Sequence, residues 1–384
     1  MFTKKYNGNI GPDQQTLPSA NDAGKRKPVT IGNFMANQHT VPSHDLWRSL
    51  YTAADLFFKE SPWKVLENGM IFGVEDPVSK QIGWCSVMGN GGMEYGLAVH
   101  RGAIGFEALK TMLNDMDHEN LLPLLDSLNV TFDHSDFLEN RDLSVLKELG
   151  ISSVYKGTQK WPRFRSYLPA RYPWYLNADE AFFLKEAIEQ AMEVARLARM
   201  DRSVLAKGFP DRFLVRTQTN ASGIIEWRNE YRIPECYIEP QRLALKIDKS
   251  KVEKISSLPI SKDLLIEADL FITSTPICDS EPPWLPWLML AVDVRRDFVL
   301  NAEHMMKDRD PIIEGSRQLI LILEGLDHRP GKIRIKHDQW HRYLKQSCAD
   351  IGILLEKATF LPAIKKVKES MREYMRWDRE ILDS

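Results

Sequence analysis

The feature that most limits the fold of this chain is the alternation of short apolar runs and amphipathic stretches after residue 284. Strands are predicted at 288–294 and 298–304, joined by a turn at Arg295-Arg296. The alternation continues with a helix from Pro311, a strand at 332–336, a helix at 340–351, a strand at 353–357 and a helix from Pro362. The order β-β-α-β-α-β-α favours a mostly parallel sheet with covered faces, because parallel strands need helical crossovers.

A first domain is predicted over residues 41–150. Apolar residues recur at helical spacing over 44–60, and three strand-like runs then follow at 70–75, 82–88 and 94–100. The turns between these runs are short, which is typical of an antiparallel meander. A multi-domain α+β protein is therefore expected.

A central domain is predicted over residues 160–280. Asn177 and Glu180 have the spacing of a capping box at the start of a long helix. A hairpin is expected around 220–223, and strict alternation over 264–273 predicts a strand with one exposed polar face. The C-terminal module, 284–384, then forms a third domain.

Composition and charge argue against a membrane-spanning protein, a secreted protein and a protein held together by disulfides. Residues 1–40 hold too few apolar side chains to fold and are predicted to be a disordered tail. The formal net charge is −2, no apolar run spans a bilayer, and the start of the chain lacks the apolar core of a secretory signal. The four cysteines form no CxxC pair, which is typical of reduced thiols in a cytoplasmic protein.

The pentapeptide HDQWH, residues 337–341, is close to the zinc-protease signature HExxH. That signature requires both histidines on one helix, where they face the same metal. The strand pattern before it places His337 outside the helix, with Asp338 as N-cap and His341 in the first turn. We therefore expect no metal at this pentapeptide.

The element order after residue 284 is similar to that of the ribonuclease-H-like fold, although only two strands are predicted before its first helix, where that fold has three. The resemblance implies one carboxylate on the opening strand, one after a later parallel strand and one on the last helix. Asp293, Asp338 and either Glu369 or Glu373 would take these places. Such a set would hold Mg²⁺ for phosphodiester hydrolysis, and nucleic acid is a partner only on this alternative. The simpler interpretation is that Asp293 shapes the turn and Asp338 caps the helix.

Residues 160–176 are rich in proline, arginine and aromatic residues and are predicted to be a connector. Trp161, Arg163, Arg165 and Trp174 are its candidate binding residues, since arginines between aromatic rings suit stacking on bases. The same residues suit an interdomain clamp in which the arginines pair with acidic helices, and this is the favoured interpretation. Tryptophan–proline pairs also occur elsewhere and either pin loops to the core or line a groove for a peptide or ligand.

Several short motifs resemble a group of uncharacterised bacterial proteins. They are Leu46-Trp47, Pro62-Trp63, Phe72-Gly73-Val74, Asp76-Pro77, the run 82–89, Tyr172-Pro173-Trp174-Tyr175-Leu176, Arg329-Pro330 and Leu361-Pro362. The likeness spans most of 44–370 and implies a bacterial, cytoplasmic, multi-domain protein, without an activity. With no strong catalytic motif, the sequence favours a non-catalytic binding or adaptor protein with a protein or small-molecule partner and no cofactor. The Mg²⁺-dependent nuclease-like enzyme is the alternative.

Overall fold

The structure of the protein is a computed structural model. It describes residues 40–114, 121–151, 160–221, 224–242 and 245–382. The predicted tail therefore lies outside the described residues, apart from Thr40. The described chain is α+β, with eight α-helices and two mixed sheets. None of the helices in these ranges is both long and apolar enough to cross a bilayer.

The first sheet has seven strands and is accompanied by four helices. The strands are β1 (Phe72–Glu75), β2 (Ile82–Met88), β3 (Gly96–Arg101), β4 (Ser127–His134), β5 (Lys160–Tyr167), β6 (Phe213–Ala221) and β7 (Ile224–Arg232). The helices are α1 (His44–Glu60), α2 (Gly102–Leu113), α3 (Asn140–Glu148) and α4 (Ala178–Met200). The spatial order is β5-β4-β3-β2-β1-β6-β7. The predicted first helix and meander are confirmed.

Helices α1 and α4 cover one face of this sheet and α2 covers the other. Leu50 and Leu184 represent the apolar sides of α1 and α4, which join a single core with the strands. On the opposite face, Phe106 of α2 packs against Trp84 at a centroid distance of 4.9 Å. The sheet therefore buries apolar side chains on both faces.

The start of α4 is fixed by the predicted capping box. Asn177 Oδ1 accepts a hydrogen bond from the Glu180 amide at 2.9 Å, and Glu180 Oε2 accepts one from the Asn177 amide at 3.0 Å. The repeating apolar positions along the helix are buried in the core. Helix α4 is therefore held by packing against α1 and the strands of the first sheet.

The second sheet has five strands and four helices. The strands are β8 (Ile260–Ile272), β9 (Trp287–Asp293), β10 (Phe298–His304), β11 (Arg329–Ile335) and β12 (Leu354–Lys357). The helices are α5 (Lys249–Ser257), α6 (Pro311–Glu324), α7 (Asp338–Asp350) and α8 (Pro362–Leu382). The spatial order is β10-β9-β8-β11-β12. Apolar residues of α6 and α7 pack on one face of β8, and those of α8 pack on the other.

The predicted order β-β-α-β-α-β-α is present but incomplete, because β8 precedes it in the same sheet. Strands β8, β9 and β10 form an antiparallel meander, whereas β8, β11 and β12 are parallel. The sheet is therefore mixed where the sequence predicted a mostly parallel one. Three strands precede the first crossover helix, where the sequence predicted two.

Strand pairing groups the chain differently from the three predicted domains. The hairpin β6–β7 joins the first sheet, because β6 pairs in parallel with β1. Strand β8 joins the second sheet, although the sequence grouped both with a central domain. These pairings are between residues far apart in sequence, which local patterns do not reveal.

The predicted connector at 160–176 contains strand β5. The proline at position 162 does not prevent a strand, because β5 is the last strand of its sheet, where a missing amide is tolerated. Trp174 then pairs its main chain with Ser166 on the outer side of β5, with N–O distances of 2.7 and 2.9 Å. This segment is therefore an ordered part of the first sheet.

Candidate functional site

Asp293, one of the carboxylates predicted for metal binding, shapes a turn. Its side chain is buried at the end of β9, and Oδ1 accepts hydrogen bonds from the amides of Arg295 and Arg296 at 3.0 and 3.3 Å. The Arg296 guanidinium lies 3.5 Å from Oδ2. These contacts satisfy the carboxylate locally, as the simpler interpretation predicted.

Asp338, the second predicted carboxylate, is the first residue of α7 and its side chain is 60% exposed. It pairs with Lys357, and this hydrogen bond lowers the pKa of Asp338. The prediction that Asp338 caps the helix is wrong. The N-cap is His337, whose Nδ1 accepts from the Trp340 amide at 3.4 Å, because α7 begins two residues earlier than predicted.

The four predicted catalytic carboxylates are not gathered into one site. Strand β8 lies between the strands that precede Asp293 and Asp338, so about 10 Å separates those strands. Glu369 is exposed on α8 and pairs with Lys365 at 3.7 Å, and Glu373 is also exposed. Within the described ranges, no three His, Cys, Asp or Glu side chains are arranged as a metal site.

Two carboxylates that the sequence did not single out lie at the centre of the second sheet. Glu267 and Asp269 are 0% and 4% exposed on the face of β8 that α8 covers. The prediction that this face is exposed is therefore wrong. The only indication in the sequence was that two acidic residues occupy alternate positions of a strand whose opposite face is apolar.

Helix α8 neutralises both of these carboxylates. The Lys368 ammonium lies 2.9 Å from Asp269 Oδ2 and 3.8 Å from the centroid of the Phe271 ring. Glu267 Oε2 accepts from the Ala363 amide at 2.8 Å, at the positive N-terminus of the helix. Glu267 Oε1 has no hydrogen-bond partner among the described residues.

These residues do not fit the Mg²⁺ ion that the ribonuclease-H-like likeness implies. An ammonium already contacts Asp269, and helix amides hold Glu267, so both carboxylates already have partners on α8. Burial also lowers the pKa of the neighbouring His337, which favours its neutral form. The buried cluster therefore attaches α8 to the sheet.

Arg165 and Arg163, predicted to bind a partner, pair with acidic residues of the first sheet. Arg165 is buried, and its two terminal nitrogens lie 2.9 and 2.8 Å from the oxygens of Asp142 on α3. Arg163 Nε lies 3.0 Å from Asp133 on β4. The arginine clamp is therefore present, but it lies within one sheet and its helix.

The tryptophan–proline pairs have two structural roles. Trp63 is buried in the core of the first sheet and Trp161 packs partly against that core, while Trp284 is also buried. Trp174 differs, because it lines an open groove. It is lined by Tyr172, Trp174, Pro276, Pro283, Cys278, Asp279, Ser280 and Glu281; we call the four aromatic and proline residues its walls and the other four its rim. We call these eight residues the aromatic groove, and its volume is about 450 Å³.

Main-chain pairing between the two halves of the chain builds the aromatic groove. The Tyr172 amide donates to Pro283 O, and the Leu285 amide donates to Ala170 O, both at 3.0 Å. Trp284 exchanges two further bonds with Ile277, at 2.8 and 3.1 Å. The walls are thus held by backbone bonds before any ligand is present.

Comparison with known families gives two matches. Residues 47–216 match the family model of a domain of unknown function, DUF7309. Residues 251–372 match that of a second domain of unknown function, DUF6930. The first range runs from α1 into β6, and the second runs from α5 into α8. A search of curated proteins found no match. The predicted likeness to proteins of unknown function is confirmed.

Proposed function

We propose that this chain, which joins a DUF7309 domain to a DUF6930 domain, is a non-catalytic binding protein and that its ligand binds in the aromatic groove. The observation that carries this proposal is the groove itself. It exposes two aromatic rings at the junction of the two sheets, where binding sites commonly occur. Its volume falls within the range of roughly 300–1,000 Å³ that is usual for ligand sites.

The arrangement of the groove favours binding over chemistry. Its lining combines aromatic and proline rings with a few polar side chains, as in sites that recognise a peptide. Tyr172 is 41% exposed, so a ligand would bury apolar surface that water now covers. Because main-chain hydrogen bonds already fix the walls, the protein loses little conformational entropy when a ligand binds.

A cytoplasmic, bacterial setting is part of the same proposal. All four cysteines are free, as expected of a reducing compartment. The resemblance of the first domain to uncharacterised bacterial proteins supports the origin.

The proposal can be tested by selecting peptides from a random display library on the full chain. Binding of the selected peptides would be compared with the Trp174→Ala and Trp161→Ala variants by fluorescence anisotropy. We expect Trp174→Ala to weaken binding by roughly 30-fold, the effect of a central aromatic anchor, and Trp161→Ala to leave it unchanged. Circular dichroism would verify that both variants fold. Equal binding by Trp174→Ala and the unmodified chain would overturn the proposal.

A further inference from the structure

We propose that the aromatic groove takes a proline-containing extended segment that carries arginine or lysine beside its prolines. This inference rests on the proposed function and names the chemistry of its ligand. It is drawn from the walls of the groove and from the charge on its rim, which are independent observations.

The walls fit a segment in the polyproline II conformation. Tyr172 and Trp174 supply flat aromatic surfaces, and Pro276 and Pro283 line the same groove with rigid rings. A polyproline II segment has three residues per turn and no internal hydrogen bonds, so it presents proline rings without first breaking other structure. Aromatic-lined grooves are the usual receptors for such segments.

The rim carries two carboxylates, of which Asp279 interacts electrostatically with Arg171. Asp279 and Glu281 are both exposed on the loop that supplies the proline wall. Asp279 Oδ1 accepts from the Trp284 indole at 2.8 Å, and the Lys307 ammonium donates to Ser280 Oγ at the same distance. Among the described residues Glu281 makes no side-chain hydrogen bond or ion pair, so its carboxylate is available to a cation of the ligand.

The test uses three twelve-residue peptides and the full chain. The first peptide alternates proline and leucine with a single arginine near the prolines. The second has glutamate in place of the arginine, and the third has alanine in place of every proline. Fluorescence anisotropy would measure their binding to the unmodified chain and to the Glu281→Lys, Glu369→Lys and Trp174→Ala variants. Glu369→Lys is the matched control, because it reverses an exposed charge on α8.

We expect the arginine peptide to bind about two- to fivefold more tightly than the glutamate peptide, which is the usual size of one exposed charge pair. Glu281→Lys should reverse this order, Glu369→Lys should not, and added salt should reduce the difference. The alanine peptide should bind at least tenfold more weakly.

Each failure has a separate meaning. Equal affinity of the arginine and glutamate peptides would overturn the charge requirement. Equal affinity of the alanine peptide would overturn the proline requirement. If none of the three binds while library peptides still depend on Trp174, this inference is wrong and the proposed function stands. If no peptide depends on Trp174, both are wrong.

Discussion

Both sheets of this protein bury charged side chains, but they neutralise them differently. In the first sheet, Arg101 at the end of β3 contacts two carboxylates, Asp126 at 2.5 Å and Glu180 at 2.8 Å. Glu180 receives further hydrogen bonds from Ser166 and from the Asn177 amide. In the second sheet, the ion pair of Asp269 is with the ammonium of Lys368, a residue 99 positions away in sequence.

The comparison indicates that a buried charge with several hydrogen-bond partners is less sensitive to the loss of one partner than a buried charge with a single partner. The first network lies at a strand end and shares its charges among several donors. The second lies in the middle of a sheet, beneath a single helix. A single substitution should therefore cost more stability in the second sheet than in the first.

The largest effect is expected for Lys368→Met. It leaves Asp269 buried without its cation, which typically costs about 3–5 kcal/mol of unfolding free energy. Urea unfolding would measure the loss, with the exposed Lys365→Met as a control that changes stability by less than about 1 kcal/mol. The double variant Lys368→Met, Asp269→Leu should recover most of the loss, since a packed apolar pair often replaces a buried ion pair without penalty. A double variant no more stable than the single one would show that the ion pair is not the cause.

A somewhat smaller loss, about 3 kcal/mol near neutral pH, is expected for Arg101→Met. Burial already raises the pKa of Asp126, and removing the guanidinium raises it further. In the folded variant, the Asp126 carboxyl would then stay protonated at pH values where the same carboxyl in the unfolded chain has lost its proton. The free energy of unfolding therefore falls as the pH rises. Unfolding at pH 5 and pH 7.5 should show the smaller loss at pH 5. Arg163→Met, which affects a more exposed pair, is the control, and a loss independent of pH would contradict the explanation.

An acid-dependent loss is expected from His100 in the first sheet. Burial lowers its pKa to about 4 from the ordinary value of 6.5. Because the folded pKa is the lower one, stability is present above pH 6.5 and is lost as pH falls towards 4. Between pH 6.5 and 5 the loss is on the order of 2 kcal/mol. His100→Gln should flatten the stability profile in this range, whereas the exposed His44→Gln should not. An unchanged slope in His100→Gln would refute this assignment.

The smallest effect is expected for Asp338→Asn. Its ion pair with Lys357 is exposed, so it should contribute less than about 1 kcal/mol and weaken with salt. Chemical unfolding at low and high ionic strength would measure this. A loss as large as that of Lys368→Met would remove the distinction between buried and exposed pairs in this sheet.

Local patterns predicted the elements of this fold well. The spacing of apolar residues located α1 and the β9–β10 hairpin, and the Asn177–Glu180 pair located the start of α4. These features depend on residues that are close in sequence, so they can be predicted from a single amino-acid sequence.

The pairing of distant elements could not be predicted in the same way. An alternating strand with Glu267 and Asp269 on one face looks half-exposed. A face that contacts solvent and a face that contacts a helix supplying a cation and free amides have the same sequence pattern. Only the position of Lys368 in space shows that the polar face is covered. The aromatic groove likewise depends on residues about a hundred positions apart, although the proline–tryptophan pairs pointed to Trp174.

The late position of α8 in the chain has a consequence during synthesis on the ribosome. Strand β8 is translated about a hundred residues before the lysine that neutralises it. At roughly 5–20 residues per second, its two carboxylates stay hydrated for about 5–20 seconds. We expect their charge to disfavour pairing of this nascent strand with other chains until α8 emerges, so the same acidic residues would also limit aggregation.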